Sequence, residues 1–400
     1  MNEFSYFINT NSNLKKKMCN SKLLKEFKEI ANNLINPALQ SWKNQNGKVI
    51  GCMYPFIPEE IISAAGMLPY RMKATNSSGT ELSESCFSQI NCTYVRHLFD
   101  LGMRGELKFL DGVVTVNYCD HIRRLFDNWK SKINTPYMHF LSFPKKRGEE
   151  QIEAYRKELV KFKISLEKFF NTNITEKQLR SAIQCHNKTR QLLRKLYELR
   201  KSKNSSITGA ETLAIVMAGT VIPKEIYNSL LNQLLKDYNQ AEKNTKNLVR
   251  IMLVGGEIDN LKLIDIIENL GGLVVADYLG YGFRYIWKDV DEEGDSLTAL
   301  ARYQVMERPA DPRIFGTSVE RNDYIKKIIG QFSVEGIISF RLPQCDLWGL
   351  DQINLSRYLK KNKIPYLALE DEYILKSIGQ LKTRIQAFIE SIREGKYVKN

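Results

Sequence analysis

The sequence predicts an α/β protein with two Rossmann-like, flavodoxin-like lobes, each on a parallel sheet, related by an internal repeat and separated by a helical segment. Strand-like and helix-like stretches alternate near both ends of the chain, whereas the middle shows helical periodicity alone. In addition, residues 110–141 and 334–369 share one order of features: an acid and a glycine, a β-branched strand, a Cys-Asp pair, an amphipathic helix and a Pro-Tyr pair. We therefore predict four segments: an N-terminal helical segment (1–46), a first α/β lobe (47–148), a helical region (149–247) and a second α/β lobe (248–400).

The elements of the two lobes follow from hydrophobic periodicity and turn residues. KVIGCMY (48–54) is a predicted strand, and the next helix begins at Pro58 and ends at Gly66. Segment 120–132 has apolar side chains at i, i+3, i+4 and i+7, which indicates a helix with one buried face. Strands that alternate with such helices predict parallel sheets, whose ligands bind beyond the carboxyl ends of the strands. The other predicted strands are 69–72, 112–118, 136–143, 250–256, 273–278, 335–342 and 364–371, and the other helices are 153–170, 176–202, 259–272, 296–307 and 353–362.

Composition bounds the class of protein. A chain of 400 residues with 43% hydrophobic content buries more than one core, so at least two domains are expected. A formal net charge of +14 attracts anionic partners such as nucleic acid, a nucleotide-bearing cofactor or an acidic protein. Charge spread over solvated helix faces explains the same number equally well.

The N-terminal stretch and the most apolar window of the chain indicate where in the cell the protein is expected. The N-terminal stretch MNEFSYFINTNSNLKKK lacks an apolar segment of the kind that secretory signals carry, and LAIVMAGTVI (213–222) is too short to span a bilayer. Seven cysteines, an odd number, do not suggest a disulfide framework. We therefore expect a cytoplasmic protein with reduced thiols and no membrane partner.

Three cysteines stand out by their positions. Cys119 and Cys345 occupy matching places at the carboxyl ends of predicted strands, and Cys92 precedes an amphipathic helix. If the two lobes face each other, the three loops converge. Thiolates in a chain with four histidines suit a soft metal centre, of which iron-sulfur is the natural candidate. Buried core filling is the alternative for any lone cysteine, and none of the three has a CxxC spacing. For Cys19, Cys52, Cys86 and Cys185 we adopt the interpretation that the thiol fills the buried core.

A set of motifs, in order between Lys48 and Glu390, resembles the 2-hydroxyacyl-CoA dehydratase and benzoyl-CoA reductase family, specifically the 2-hydroxyglutaryl-CoA dehydratase D-component type. The resemblance implies a two-lobed α/β subunit in which Cys92, Cys119 and Cys345 hold one [4Fe-4S] cluster. Extra cysteines of a related double-cubane branch are absent from LVGGEID and DYLGYG. The motifs are GCMYPFIPEEIISAAGMLPYRM, CTYVRHLFDLG, LDGVVTVNYCDHIRRLFDNWK, LVVADYLGYGFRY, PQCDLWG, IPYLALEDEY and GQLKTRIQAF.

The resemblance also implies an activity and partners. Such a subunit pairs with a homologous second subunit, and an ATP-hydrolysing iron-sulfur activator protein injects electrons into the heterodimer. One electron turns the thioester carbonyl of a 2-hydroxyacyl-CoA into a ketyl radical anion, which expels the 2-hydroxyl and leads to a 2-enoyl-CoA. An iron with no cysteine ligand can act as a Lewis acid. An oxygen-sensitive protein from an anaerobic host is the corresponding expectation.

Acid-base candidates lie beside these motifs. Glu60 sits at the position where family members with a catalytic carboxylate carry that carboxylate. A glutamate in an apolar cleft can act as a base. The alternative is a structural role, because an acidic residue in the first turn of a helix is favoured by the helix dipole. His121 can donate a proton or a hydrogen bond near Cys119, or be a solvated residue at a helix N-terminus. Asp120 and Asp346 are expected to cap their helices.

Three functional hypotheses follow. The first is the iron-sulfur subunit of an (R)-2-hydroxyacyl-CoA dehydratase, with a subunit of an ATP-dependent, benzoyl-CoA-type reductase as its variant. The second is a non-catalytic electron-relay subunit of such a heterodimer. The third is a basic nucleic-acid-binding protein, which predicts salt-dependent binding that survives iron removal; the positive charge gathers into neither a basic tail nor an aromatic-studded sheet, so we expect no nucleic-acid partner.

Overall fold

The computed structural model describes residues 12–238, 245 and 247–395, without the side chains of residues 12–21 and 237. The first eleven residues of the predicted N-terminal segment, residues 239–244 and 246 of the helical region, and the last five residues of the second lobe lie outside the described part, as does the side chain of Cys19. Two helices precede the first strand: α1 (Ser12–Asn32) and α2 (Pro37–Asn44).

The first sheet contains four parallel strands in the order β2-β1-β3-β4. Every residue of β1, β2 and β3 is buried, because helices cover both faces of a parallel sheet and its strands therefore read as continuous apolar runs. Its elements are β1 (Val49–Cys52), α3 (Glu59–Ala64), β2 (Leu68–Arg71), α4 (Thr93–Met103), β3 (Gly112–Val116), α5 (Asp120–Lys132) and β4 (Tyr137–Leu141).

Four helices follow in the described residues, of which the sequence predicted two individually, at 153–170 and 176–202. Two of the four begin with a complete capping box, Thr175 with Gln178 and Thr208 with Glu211, which satisfies backbone N–H groups that the first turn leaves free. They are α6 (Glu149–Phe170), α7 (Glu176–Glu198), α8 (Gly209–Ala218) and α9 (Lys224–Tyr238).

The second sheet is also parallel, with the equivalent order β6-β5-β7-β8. The predicted two-lobed α/β fold is therefore confirmed, whereas the internal repeat and the segment boundaries stay predictions. The chain continues through β5 (Val249–Gly255), α10 (Leu261–Asn269), β6 (Gly272–Tyr278), α11 (Phe283–Ile286), α12 (Ser296–Arg302) with a π-helical turn (Tyr303–Glu307), α13 (Ser318–Phe332), β7 (Gly336–Arg341), α14 (Asp346–Lys361), β8 (Tyr366–Glu370) and α15 (Ile378–Arg393).

Buried hydrophobic side chains of both lobes and of the central helices form one contiguous cluster. Polar contacts join the lobes near the carboxyl ends of their strands: the Tyr118 hydroxyl donates to Asp311 over 2.9 Å, and the backbone N–H of Tyr373 donates to Thr93 over 3.1 Å. None of the helices in the described ranges is both long enough and apolar enough to cross a membrane.

Candidate functional site

A cavity of about 400 Å³ lies where the carboxyl ends of the two sheets face each other. Cys92, Cys119 and Cys345 all line it, although they are far apart in the sequence. The structure thus brings together the three cysteines that the sequence singled out. Cys52 and Cys185 do not line this cavity; Cys52 is buried in the core.

Each of the three cysteines is the residue immediately before a helix. Cys92 is the N-cap of α4, Cys119 of α5 and Cys345 of α14. The expectation that Asp120 and Asp346 cap these helices is therefore wrong by one residue, because the chain is still extended at Cys119 and turns helical at Asp120. The aspartates lie in the first turns, where the helix dipole favours negative charge. Three helix N-termini consequently meet at the cavity.

Burial governs the protonation of these thiols. It raises the pKa of Cys119 to about 12 and that of Cys345 to about 11, and it raises the pKa of Cys92 further. Nearby first-turn amides lower each pKa, although none completes a side-chain capping hydrogen bond. A metal that binds here must therefore displace protons from the thiols.

His121 links the three cysteine loops. Its Nε2–H donates to the carbonyl of Gln344 over 3.0 Å, and its Nδ1 lies 3.3 Å from Oδ1 of Asn91. Asn91 and Gln344 directly precede Cys92 and Cys345, and Gln344 has a left-handed backbone with φ of 63°. His121 therefore hydrogen-bonds the residue before Cys345 and contacts the side chain of the residue before Cys92.

Glu60 lies in a different place from the three thiols. It lines a small interior cavity of about 20 Å³, together with His186 and Arg190. Arg190 donates to the Glu60 carboxylate, and His186 Nδ1 lies 4.0 Å from the same oxygen. Tyr54 lines both this cavity and the cysteine cavity, so the two cavities adjoin at this side chain.

Two further residues of the cysteine cavity were not predicted. Glu257 follows β5, and its Oε2 accepts a hydrogen bond of 2.5 Å from Arg71. Trp348 lies in the first turn of α14, three residues after Cys345. A charged residue just beyond the carboxyl end of a strand was the available signal for Glu257; nothing in the spacing marks Trp348.

The rim of the cavity is partly apolar and exposed. Phe315 is 80% exposed and Leu350 is 67% exposed, and both line the cavity. Arg123 and Lys145 add positive charge to the rim. Exposed apolar side chains of this size at the edge of a cavity are typical of a surface that another molecule covers.

The sequence model of the family described as "2-hydroxyglutaryl-CoA dehydratase, D-component" matches residues 54–392. The chain belongs to this family. The resemblance drawn from the motifs is confirmed, and the expectation of a subunit of a dehydratase, a lyase, is confirmed at the level of the D-component family.

Curated relatives of this D-component protein are similar along nearly their whole length. A subunit of the benzoyl-CoA reductase of Thauera aromatica is 26% identical over 364 residues, covering 89% of this chain and 94% of the relative. The (R)-phenyllactyl-CoA dehydratase beta subunit of Clostridium sporogenes and the (R)-2-hydroxyglutaryl-CoA dehydratase beta subunit of Acidaminococcus fermentans are each 25% identical, over 94% of this chain and 100% of the relative. All three names describe one subunit of an enzyme.

Proposed function

We propose that this chain is the iron-sulfur subunit of an oxygen-sensitive (R)-2-hydroxyacyl-CoA dehydratase, which converts a 2-hydroxyacyl-CoA into a 2-enoyl-CoA. The observation that carries the proposal is the convergence of Cys92, Cys119 and Cys345 on one cavity, each at the N-terminus of a helix. The names of the family and of two relatives supply the class of reaction.

The donor set suits a [4Fe-4S] cluster better than a single metal ion. Within residues 12–238, 245 and 247–395, no three His, Cys, Asp or Glu side chains are grouped so as to hold one ion. Each thiolate of a cubane cluster binds a different iron, so the thiolates lie farther apart than the ligands of one ion. Thiolates are the usual cluster ligands, and three helix N-termini favour their negative charge. Cys92, Cys119 and Cys345 would hold the cluster.

When bound, the cluster would lend one electron to the thioester carbonyl, so that the 2-hydroxyl group leaves as hydroxide, and would take the electron back after the β-proton is removed. This chain's own side chains would bind and orient the substrate. Tyr54, Tyr118 and Phe340 provide apolar walls for the acyl group, and Arg123 and Lys145 on the rim offer positive charge to the phosphates of CoA.

Glu60 is the proposed base for the β-proton. Burial and the contact with Arg190 fix its carboxylate, and Tyr54 is shared by the walls of the Glu60 cavity and the cysteine cavity. A base must come within hydrogen-bond reach of the proton it takes. The proposal therefore requires an acyl group that extends from the cysteine cavity past Tyr54.

The proposed partners are a homologous second subunit and an ATP-hydrolysing iron-sulfur activator in the cytoplasm of an anaerobic host. Relatives named as beta subunits support the second subunit. The exposed Phe315 and Leu350 at the rim support a protein that covers this edge of the cavity.

A subunit of a benzoyl-CoA-type reductase is the second candidate, and a non-catalytic electron-relay subunit is its variant. The observation that favours the reductase is the reductase subunit from Thauera aromatica, whose identity to this chain, 26%, is comparable with the 25% of the dehydratases. The aromatic walls of the cavity suit a benzoyl ring equally well.

The decisive experiment is anaerobic purification followed by analysis of iron and acid-labile sulfide and by EPR of the reduced protein. We expect about four irons per chain, as one cubane cluster requires, and loss of most of that iron in Cys119→Ala and Cys345→Ala. Cys185→Ala is the matched control, because this half-buried thiol lies outside the cysteine cavity. Iron that is absent from the wild type, or lost equally from the control, would overturn the cluster.

Substrate then separates the candidates. For a catalytic dehydratase subunit, (R)-phenyllactyl-CoA or (R)-2-hydroxyglutaryl-CoA changes the EPR signal of this chain, and turnover yields the corresponding enoyl-CoA. For a reductase subunit, benzoyl-CoA changes the signal instead. A signal that none of the three thioesters changes favours the electron-relay subunit.

A further inference from the structure

Two buried polar atoms on the wall of the cysteine cavity have no hydrogen-bond partner among the described residues. One is Oε1 of Glu257, an acceptor, and the other is Nε1 of Trp348, a donor. Both side chains are at least nine-tenths buried. A buried polar group without a partner is costly, so native proteins rarely keep one unless a ligand or a water satisfies it.

Each of these two atoms lies against one of two glycines that are hydrogen-bonded to each other. Oε1 of Glu257 lies 2.1 Å from the position that a Cβ at residue 280 would take, and the Trp348 indole lies 2.9 Å from that position at residue 256. Gly280 and Gly256 are themselves joined, since the N–H of Gly280 donates to the carbonyl of Gly256 over 3.3 Å. Glycine at both positions therefore leaves the space that the carboxylate and the indole occupy.

The second oxygen of the carboxylate fixes its direction. Arg71 donates to Oε2 over 2.5 Å, and the same guanidinium donates to the carbonyl of Gly280 over 3.1 Å. On the other side, the guanidinium of Arg284 lies over the Trp348 ring, 4.9 Å from its centre. The acceptor and the donor are consequently held in place before any ligand arrives.

A ligand group that satisfies both atoms must donate one hydrogen bond and accept another. A hydroxyl group does this with a single oxygen. The sulfide of an iron-sulfur cluster accepts hydrogen bonds but has no proton to donate, so it would leave Glu257 unsatisfied. We propose that Glu257 and Trp348 together bind the hydroxyl group of a 2-hydroxyacyl thioester and select it over the deoxy acyl thioester, an inference that rests on the proposed dehydratase function.

The test compares two thioesters that differ only in this hydroxyl, (R)-phenyllactyl-CoA and 3-phenylpropanoyl-CoA. Their dissociation constants are measured by anaerobic calorimetry on the full chain, as wild type and as Trp348→Phe, which keeps an aromatic ring and removes the N–H. We expect the wild type to bind the hydroxylated thioester more tightly, and Trp348→Phe to lower that preference roughly tenfold, the effect of one lost hydrogen bond. Trp287→Phe, outside the cavity, should leave the preference unchanged.

Any of the following results would overturn the proposal. A preference that is the same in Trp348→Phe and in the wild type shows that the indole does not contact the hydroxyl. An altered EPR signal of ligand-free Trp348→Phe, with an unaltered preference, shows that the indole serves the metal centre. Tight binding of both thioesters with no preference removes only this inference. Failure of the iron-loaded wild type to bind these thioesters and (R)-2-hydroxyglutaryl-CoA removes the proposed function as well.

Discussion

Arg71 of the first lobe and Glu257 of the second form a buried ion pair, with 2.5 Å between Nη2 and Oε2. Arg71 is the last residue of β2, and Glu257 lies two residues beyond the end of β5. The Arg71 guanidinium also lies over the ring of Tyr281, 4.1 Å from its centre. One side chain thus fastens the carboxyl ends of both sheets, between which the cysteine cavity opens.

Replacement of Arg71 by methionine should destabilise the protein by about 3–5 kcal/mol, because it leaves the Glu257 carboxylate buried and unpaired. Unfolding in urea, followed by circular dichroism, measures the change. Arg302→Met is the matched control: its partner Glu149 lies 2.7 Å away on an exposed surface, where solvent screens the ion pair and its loss changes stability little. Equal losses in the two variants would contradict the role of Arg71.

Local patterns made the fold predictable. The strands of a covered parallel sheet are short apolar runs, and the junctions at Cys119 and Cys345 combine such a run with an amphipathic helix. Helix α13 is absent from the predicted elements, although Ile325, Ile328 and Phe332 form its buried face. That spacing indicates a helix, but the polar residues of the first two turns weaken the periodicity.

Pairings across the lobes were not predictable. Arg71 and Glu257 are separated by 186 residues, and His121 and Gln344 by 223. Such contacts depend on how two lobes pack together, and a single sequence carries no periodicity that reports it. For the same reason no local pattern reports that Glu60, a candidate from the resemblance, lines a cavity adjoining that of the thiols.

His121 should control how firmly the metal centre is held. His121→Ala removes the contacts with Asn91 and with the Gln344 carbonyl, so the loops that carry the thiols lose their common anchor. Residues that orient metal ligands typically contribute 10- to 100-fold in affinity, roughly, and we expect a chelator to strip iron from His121→Ala correspondingly faster. The rate of iron transfer to bathophenanthroline measures this. His139→Ala, in β4 and away from the cavity, should match the wild type; equal rates in all three proteins would refute the anchor.

Asp259 should make stability depend on pH. Burial raises its pKa to about 6; Glu257 also raises it, whereas Tyr373, whose hydroxyl donates to Asp259 over 2.7 Å, and Lys73 lower it. The carboxyl group of an aspartate in an unfolded chain has a pKa of about 3.9. Protonation therefore favours the folded state: this stabilisation is full below about pH 4 and is lost as the pH rises through about 6.

The neutral variant Asp259→Asn does not lose stability through this ionisation as the pH rises. Its free energy of unfolding, relative to the wild type, should rise between pH 4 and pH 7 by roughly 3 kcal/mol, the equivalent of about two pKa units. Asp111→Asn is a control of opposite sign: burial raises the pKa of Asp111, but its contacts with Lys43, Val49 and Lys48 outweigh burial and lower it. That variant should lose relative stability as the pH rises through the acid range. A pH-independent difference for Asp259→Asn would show that this carboxyl is not perturbed.

Glu59 and Glu60 provide a test of the proposed base within one helical turn. Both begin α3, both are buried, and each has a cationic partner: Lys224 lies 3.1 Å from Glu59, and Arg190 binds Glu60. If Glu60 takes the β-proton, Glu60→Gln should lower kcat by roughly 10²- to 10⁴-fold with unchanged iron content, whereas Glu59→Gln should retain turnover. Two variants with equal activity and equal loss of stability would show instead that Glu60, like Glu59, only anchors α3 to the central helices.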